Sequence, residues 1–114
     1  MHPLAYALKF TLEWDNNKER FSKVSLDTMV ELFKARYWNP LDCSDFNCEY
    51  SCCLFDAGVD LGVSVAKEFH KKAKGDVRKL NEERAIHYLG MKDIEKRNAG
   101  MKRLNELKKY IDSE

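Results

Sequence analysis

The stretch Leu32-Phe33-Lys34-Ala35-Arg36-Tyr37-Trp38-Asn39-Pro40-Leu41 decides the fold. Met29, Leu32, Phe33 and Arg36 keep the i, i+3, i+4, i+7 spacing of a helix face. Ser25 precedes them as an N-cap, so a helix is predicted from Leu26 to about Tyr37. Asn39-Pro40 ends it, because a residue before proline avoids helical angles. Tyr37 and Trp38 therefore sit at a helix end and brace the loop around Pro40 against the Phe55 helix.

The same reading extends in both directions. Upstream, Pro3 suits a first helical turn, and Leu4, Ala5, Leu8 and Leu12 give a helix from His2 to about Trp14 that Asp15-Asn16-Asn17 breaks. Downstream, Leu41 to Asn47 reads as a loop with caps available at Asp42, Ser44 and Asp45. A buried helix follows from about Cys48 to Leu61, with Gly58 and Gly62 offering close approach or a stop. Further helices are expected over Ser64 to Ala73, over Val77 to Leu89 after the Lys74-Gly75-Asp76 break, and from beyond Gly90 to Ile111. Met101, Leu104, Leu107 and Ile111 stripe the last, and Asn98-Ala99-Gly100 is a place for it to kink. The expectation is one all-α domain of five to six helices over residues 1–114, with Leu8, Leu12, Leu32, Phe33, Leu54, Phe55, Val59, Ala66, Phe69, Leu104 and Leu107 inside.

Composition agrees. Five glycines and two prolines in 114 residues are too few for a turn-rich β fold, and 44% apolar residues supply a core. No apolar run approaches the roughly 20 residues that span a bilayer, and Lys9 interrupts the apolar start, so neither a membrane span nor a secretory leader is read. The expected location is the cytoplasm of a bacterial host cell.

Net charge is +1, which gives no global field for nucleic acid. Its distribution is uneven: residues 1–62 carry 6 Lys/Arg against 10 Asp/Glu, and residues 63–114 carry 14 against 9. Lys71, Lys72, Lys74, Arg78 and Lys79 cluster around one helix junction. They make a nucleic-acid surface an alternative reading and a bipolar protein-docking surface another.

Cys43, Cys48, Cys52 and Cys53 follow C-x4-C-x3-C-C, which matches no zinc knuckle or ribbon. Four ligands so close would hardly wrap one ion while residues 48–53 stay helical. No metal and no cofactor are expected. The thiols are expected to be reduced, Cys52 and Cys53 as small apolar core residues and Cys43 as the most exposed. His2, His70 and His87 lie in no motif. No phosphate-binding loop or serine elbow is present.

The central stretch, followed by Phe55-Asp56-Ala57-Gly58-Val59-Asp60-Leu61-Gly62 and Ala66, resembles the glycoside hydrolase family 108 lysozymes, a phage and bacterial group of N-acetylmuramidases. That family carries "Y-x-x-x-Y-W-x-P" and then "F-D-x-x-V-N-x-G-x-x-x-A". Here Phe33 stands for the first tyrosine and Asp60 for the asparagine. Arg84, Tyr88 and Gly100-Met101-x-Arg103 resemble its tail motifs "R-x-x-Y-Y" and "G-W-x-x-R", with Met101 for the tryptophan and the arginine offset. The resemblance implies a lysozyme-like helical scaffold.

It also implies a catalytic glutamate at the end of the first helix, in "E-G-G-Y". Glu13 of Leu12-Glu13-Trp14-Asp15 takes that place, but no glycine follows it. Only 24 positions separate Glu13 from Tyr37, and the family's Gly- and Thr-rich segment is absent between them. Muramidase chemistry needs a shielded carboxylic acid in a cleft that stabilises positive charge, and Asp15 could supply a second carboxylate. The loss of cleft material makes a non-catalytic protein-binding module the favoured expectation. By analogy of origin, this would be a phage-encoded inhibitor of a host factor, anti-CRISPR inhibitors among them. Trp14, Tyr37 and Trp38 are candidate anchors, together with Tyr6, Tyr50 and Tyr110. A minimal muramidase using Glu13 on peptidoglycan is the alternative.

Overall fold

The computed structural model describes residues 3–14 and 23–112. Six α-helices occur among them and no strand: α1 Pro3–Trp14, α2 Leu26–Phe33, α3 Cys48–Leu61, α4 Val63–Ala73, α5 Val77–Leu89 and α6 Ile94–Asp112. His2, Asp15 and the Asp15-Asn16-Asn17 break lie outside the described residues.

Side-chain caps fix most of the helix starts. Ser25 Oγ accepts from Thr28 N at the start of α2, and Asp76 accepts from Arg78 N and Lys79 N at the start of α5. In the loop before α3 the cap is Asn47, whose Oδ1 accepts from Tyr50 N at 2.9 Å. Of the expected caps, Asp42 and Ser44 serve otherwise. Asp42 takes a left-handed turn (φ 53°) into the short 3-10 segment Cys43–Asp45, and Ser44 Oγ accepts the Trp38 indole N–H at 2.9 Å.

α2 does not stop at Tyr37. It passes into a π-helical turn, Lys34–Trp38, in which Asn39 N donates to Lys34 O at 2.9 Å. The wider turn rotates Trp38 inward, where it is 1% exposed. Asn39-Pro40 then ends the helix as expected. The anticipated kink at Asn98-Ala99-Gly100 is not there: α6 runs through it unbroken.

α3 is the axis of the domain. Every residue from Tyr50 to Gly58 is buried, and α1, α4 and α5 pack around it. Phe55 is its aromatic centre, with the rings of Phe33, Tyr37 and Trp38 at 6.3, 6.2 and 5.8 Å. Tyr37 meets Phe55 edge-on, a favourable quadrupole arrangement. Gly58 lets Leu41 approach, since a Cβ there would stand 2.7 Å from Leu41 Cδ1. Of the expected core, Leu32 and Val59 are half-buried and the other nine residues are buried.

α1 and α6 close the other side. Tyr6 and Tyr110 stack at 4.5 Å, and each hydroxyl donates to the other's backbone carbonyl, at 2.9 and 2.8 Å. No helix among the described residues is long and apolar enough to cross a membrane.

Candidate functional site

Glu13 lies in the last turn of α1 and is exposed. Beside it is an open depression of about 380 Å³, lined by Phe10, Glu13, Trp14, Glu106, Lys109 and Tyr110. Phe10 forms its aromatic floor, stacked on Trp14 at 6.0 Å and tilted against Tyr110 at 5.4 Å. Glu106 is engaged by Lys109 at 3.4 Å. A glycosidic general acid works when shielded from water and held against the leaving oxygen. Glu13 instead faces solvent on a shallow surface.

The densest chemistry lies in the interior. Asp56 of α3 is 1% exposed and receives two guanidinium groups. Arg84 Nη2 donates to Oδ2 at 2.7 Å, while Arg103 donates through Nη2 to Oδ1 at 2.8 Å and through Nε to Oδ2 at 3.1 Å. Thr11 Oγ1 of α1 lies 3.3 Å from Oδ1. The Arg84 Nε donates to the Tyr88 hydroxyl at 2.8 Å, and that hydroxyl donates to Asp60 Oδ2. Burial pushes the Asp56 carboxyl up, but Arg84 and Arg103 more than offset it and hold it below the ordinary carboxylate range. Burial likewise pushes the Tyr88 phenol up, and Asp60 adds to that shift by accepting its proton. Arg84 Nη1 has no hydrogen-bond partner among the described residues.

This network joins α1, α3, α5 and α6. Both Asp56 oxygens are saturated by donors, so the carboxylate has no free lone pair for a substrate. Its role is to hold four helices in one register. The individual residues were visible in the sequence as motif fragments, but their convergence was not, because pairing across 28 and 47 positions leaves no local signal.

The structure divides the other expected site residues. Trp38 is core rather than a surface anchor, as is Tyr50, whose hydroxyl lies 2.5 Å from His70 Nδ1. Tyr37 is half-buried against Phe55, and Trp14 is half-buried at the Glu13 depression. The basic cluster is broken up. Lys71 pairs with Glu68 at 3.0 Å and Lys72 with Glu83 at 3.5 Å. Lys74 adopts the left-handed cap of α4 (φ 52°). Arg78 faces a separate depression shared with Glu49, Glu82 and Asp112.

Cys43 is buried and Cys48 is exposed, the reverse of the expectation, because the 3-10 turn folds Cys43 under α3, where its carbonyl accepts from Ser51 Oγ. All four cysteines are free, and among the described residues no three His, Cys, Asp or Glu side chains group to hold a metal ion.

One surface feature escaped the sequence reading. Along α5, Leu80, Arg84 and Tyr88 recur every four residues and are buried. Ile86 and Leu89 point outward at 63% and 59% exposure, and Ile94, just beyond the turn, is 60% exposed. The helix hides an arginine and displays an isoleucine. The i, i+3 pair Ile86/Leu89, out of phase with Leu80, was the available signal.

Residues 7–62 match the model of the family described as glycosyl hydrolase 108, and that stretch is similar to the family. The matched stretch includes Glu13, the Tyr37-Trp38 turn, Asp56 and Gly62. No curated protein and no solved structure matches the chain.

Proposed function

We propose that the chain is a non-catalytic protein-binding module on a lysozyme-like scaffold, in which the corner between α5 and α6 is the contact surface. The observation that carries this is the exposed set Ile86, Leu89 and Ile94 on a helix whose polar Arg84 is turned inward. Ile86 and Leu89 share one face of α5 a turn apart, and exposed apolar side chains grouped on a face mark interaction sites. The exposed Glu13 adds support, since a glycosidic general acid works when shielded from water. A phage inhibitor directed at a bacterial host protein is the finer form of this reading, and it rests on analogy with the family's origin.

The test is affinity capture from bacterial lysate with wild type beside an Ile86→Glu/Leu89→Glu variant. A partner retained by the wild type and lost from an equally stable variant supports the reading. Equal retention, or none, defeats it.

The second reading is a minimal muramidase. Its support is the aromatic floor of Phe10, Trp14 and Tyr110 beside Glu13, a surface on which a sugar face could lie. The nucleic-acid reading draws nothing from the lysine cluster, in which Lys71 and Lys72 are paired with glutamates.

A further inference from the structure

Cys48 and Cys52 occupy the first and fifth positions of α3, one helical turn apart, with their sulfurs 3.8 Å from each other. Side chains at i and i+4 have Cβ atoms about 5–6 Å apart, whereas a disulfide wants about 3.5–4.5 Å. Joining the sulfurs directly would deform the turn. One bridging atom comes much closer: two bonds of about 2.3 Å meeting at roughly 100°, as at a pyramidal trivalent centre, set the sulfurs about 3.5 Å apart, within a small side-chain adjustment of the spacing found here. The donor set narrows the choice of atom. A zinc-type ion wants four ligands, and among the described residues no third His, Cys, Asp or Glu joins the pair. An organic trivalent arsenical needs only two thiols.

We infer that Cys48 and Cys52 form a two-thiol capture site for trivalent arsenicals of the type R–As=O. Two S–As bonds form, the arsenic–oxygen bond breaks, and the oxygen leaves as water with both thiol protons. No oxidation state changes. Access sets the order of events. Cys48 is exposed and reacts first. Cys52, whose thiol burial pushes up and whose Sγ–H points to the Pro3 carbonyl at 3.9 Å, closes the chelate second. Cys52 is buried, as Cys43 and Cys53 are, and what sets it apart is its sulfur contact with the exposed Cys48; Cys43 has its thiol pushed up to about 12. Cys53 is also buried and held at about 12, its sulfur accepting from Asn81 Nδ2 at 3.7 Å.

Phenylarsine oxide is the probe, added to the folded, reduced chain and read by intact mass and by counting the thiols that remain titratable. The expected result is a 1:1 adduct with two thiols lost, reversed by a dithiol and resistant to an equal concentration of monothiol. Cys48→Ser removes an exposed thiol and leaves the fold alone. It should weaken capture at least tenfold and make the residual adduct sensitive to monothiol. Cys52→Ala should do the same, and Cys43→Ser and Cys53→Ser should not. Undiminished capture by Cys48→Ser overturns the assignment, as does loss of capture in Cys53→Ser. Peroxide forming a Cys48–Cys52 disulfide with the helix content of α3 unchanged would also overturn it, because a bridging atom would then not be required.

Discussion

Gly100 of α6 lies against the ring of Tyr88 on α5 so closely that a Cβ at position 100 would fall onto the ring atoms. The glycine is therefore a seat for the tyrosine that bonds both Arg84 and Asp60. It also explains how α6 passes unbroken through Asn98-Ala99-Gly100: the glycine answers a packing demand at that point.

Gly100→Ala tests this seat. In an exposed helix the change gains up to about 1 kcal/mol. Here the methyl must displace a buried ring that carries two hydrogen bonds, so a net loss of about 2 kcal/mol or more is expected. Urea denaturation of both proteins measures it, and a stabilised alanine variant would refute the close contact.

Asp56→Asn should cost about 3 kcal/mol, because it removes the buried counter-ion that both guanidinium groups share and leaves them only the longer pairs to Asp60, at 3.6 and 3.7 Å. The same residue predicts an acid limb. Its carboxyl titrates lower in the folded protein than in the unfolded chain. The stability it contributes is therefore complete above its unfolded value, about 3.9, and is lost as pH falls through the depressed folded value. Circular dichroism against pH should show wild type losing stability below about pH 4. The slope should be reduced in Asp56→Asn, and an identical slope would remove Asp56 from the account.

Trp38 divides into two contributions. Trp38→Ala should destabilise by about 3–5 kcal/mol through the cavity left against Phe55. Trp38→Phe keeps an aromatic ring and loses the bond to Ser44 Oγ, so it should cost roughly 1 kcal/mol for that bond in addition to the lost ring volume. Thermal melts of the pair read the order, and a normal melt for Trp38→Ala would contradict its place in the core.

Glu13→Gln tests the catalytic position directly. Turbidity of permeabilised bacterial cells should not fall with either protein. Clearing by wild type that the Gln variant abolishes would establish the muramidase reading in place of the binding module.

The helices were legible in the sequence because their signals are local. Ser25, Asp76 and Pro40 punctuate the chain, and the apolar spacing in α2, α3 and α6 runs at helical period. The Tyr37-Trp38 turn was read correctly as a brace on Phe55. The π turn was not visible, since one extra residue in a turn changes direction without changing composition. Burial of Cys43 followed from a 3-10 fold-back that the Asp42-Cys43-Ser44 stretch does not announce. The arginine network was missed for a different reason. Arg84 and Arg103 look like surface residues until two distant helices bring them to a single carboxylate, and only tertiary structure makes their burial affordable.

The paired tyrosines at positions 6 and 110 have a consequence for the order of assembly. Their two hydrogen bonds span 104 positions. Contacts of such sequence separation form late, after the entropy of closing the intervening chain has been met. During synthesis the aromatic side of α1, with Tyr6 and Phe10, stays wet until the last turns of α6 leave the ribosome. A nascent chain arrested before Tyr110 emerges would hold α1 on α3 yet present that strip to chaperones, its aromatic cover still missing.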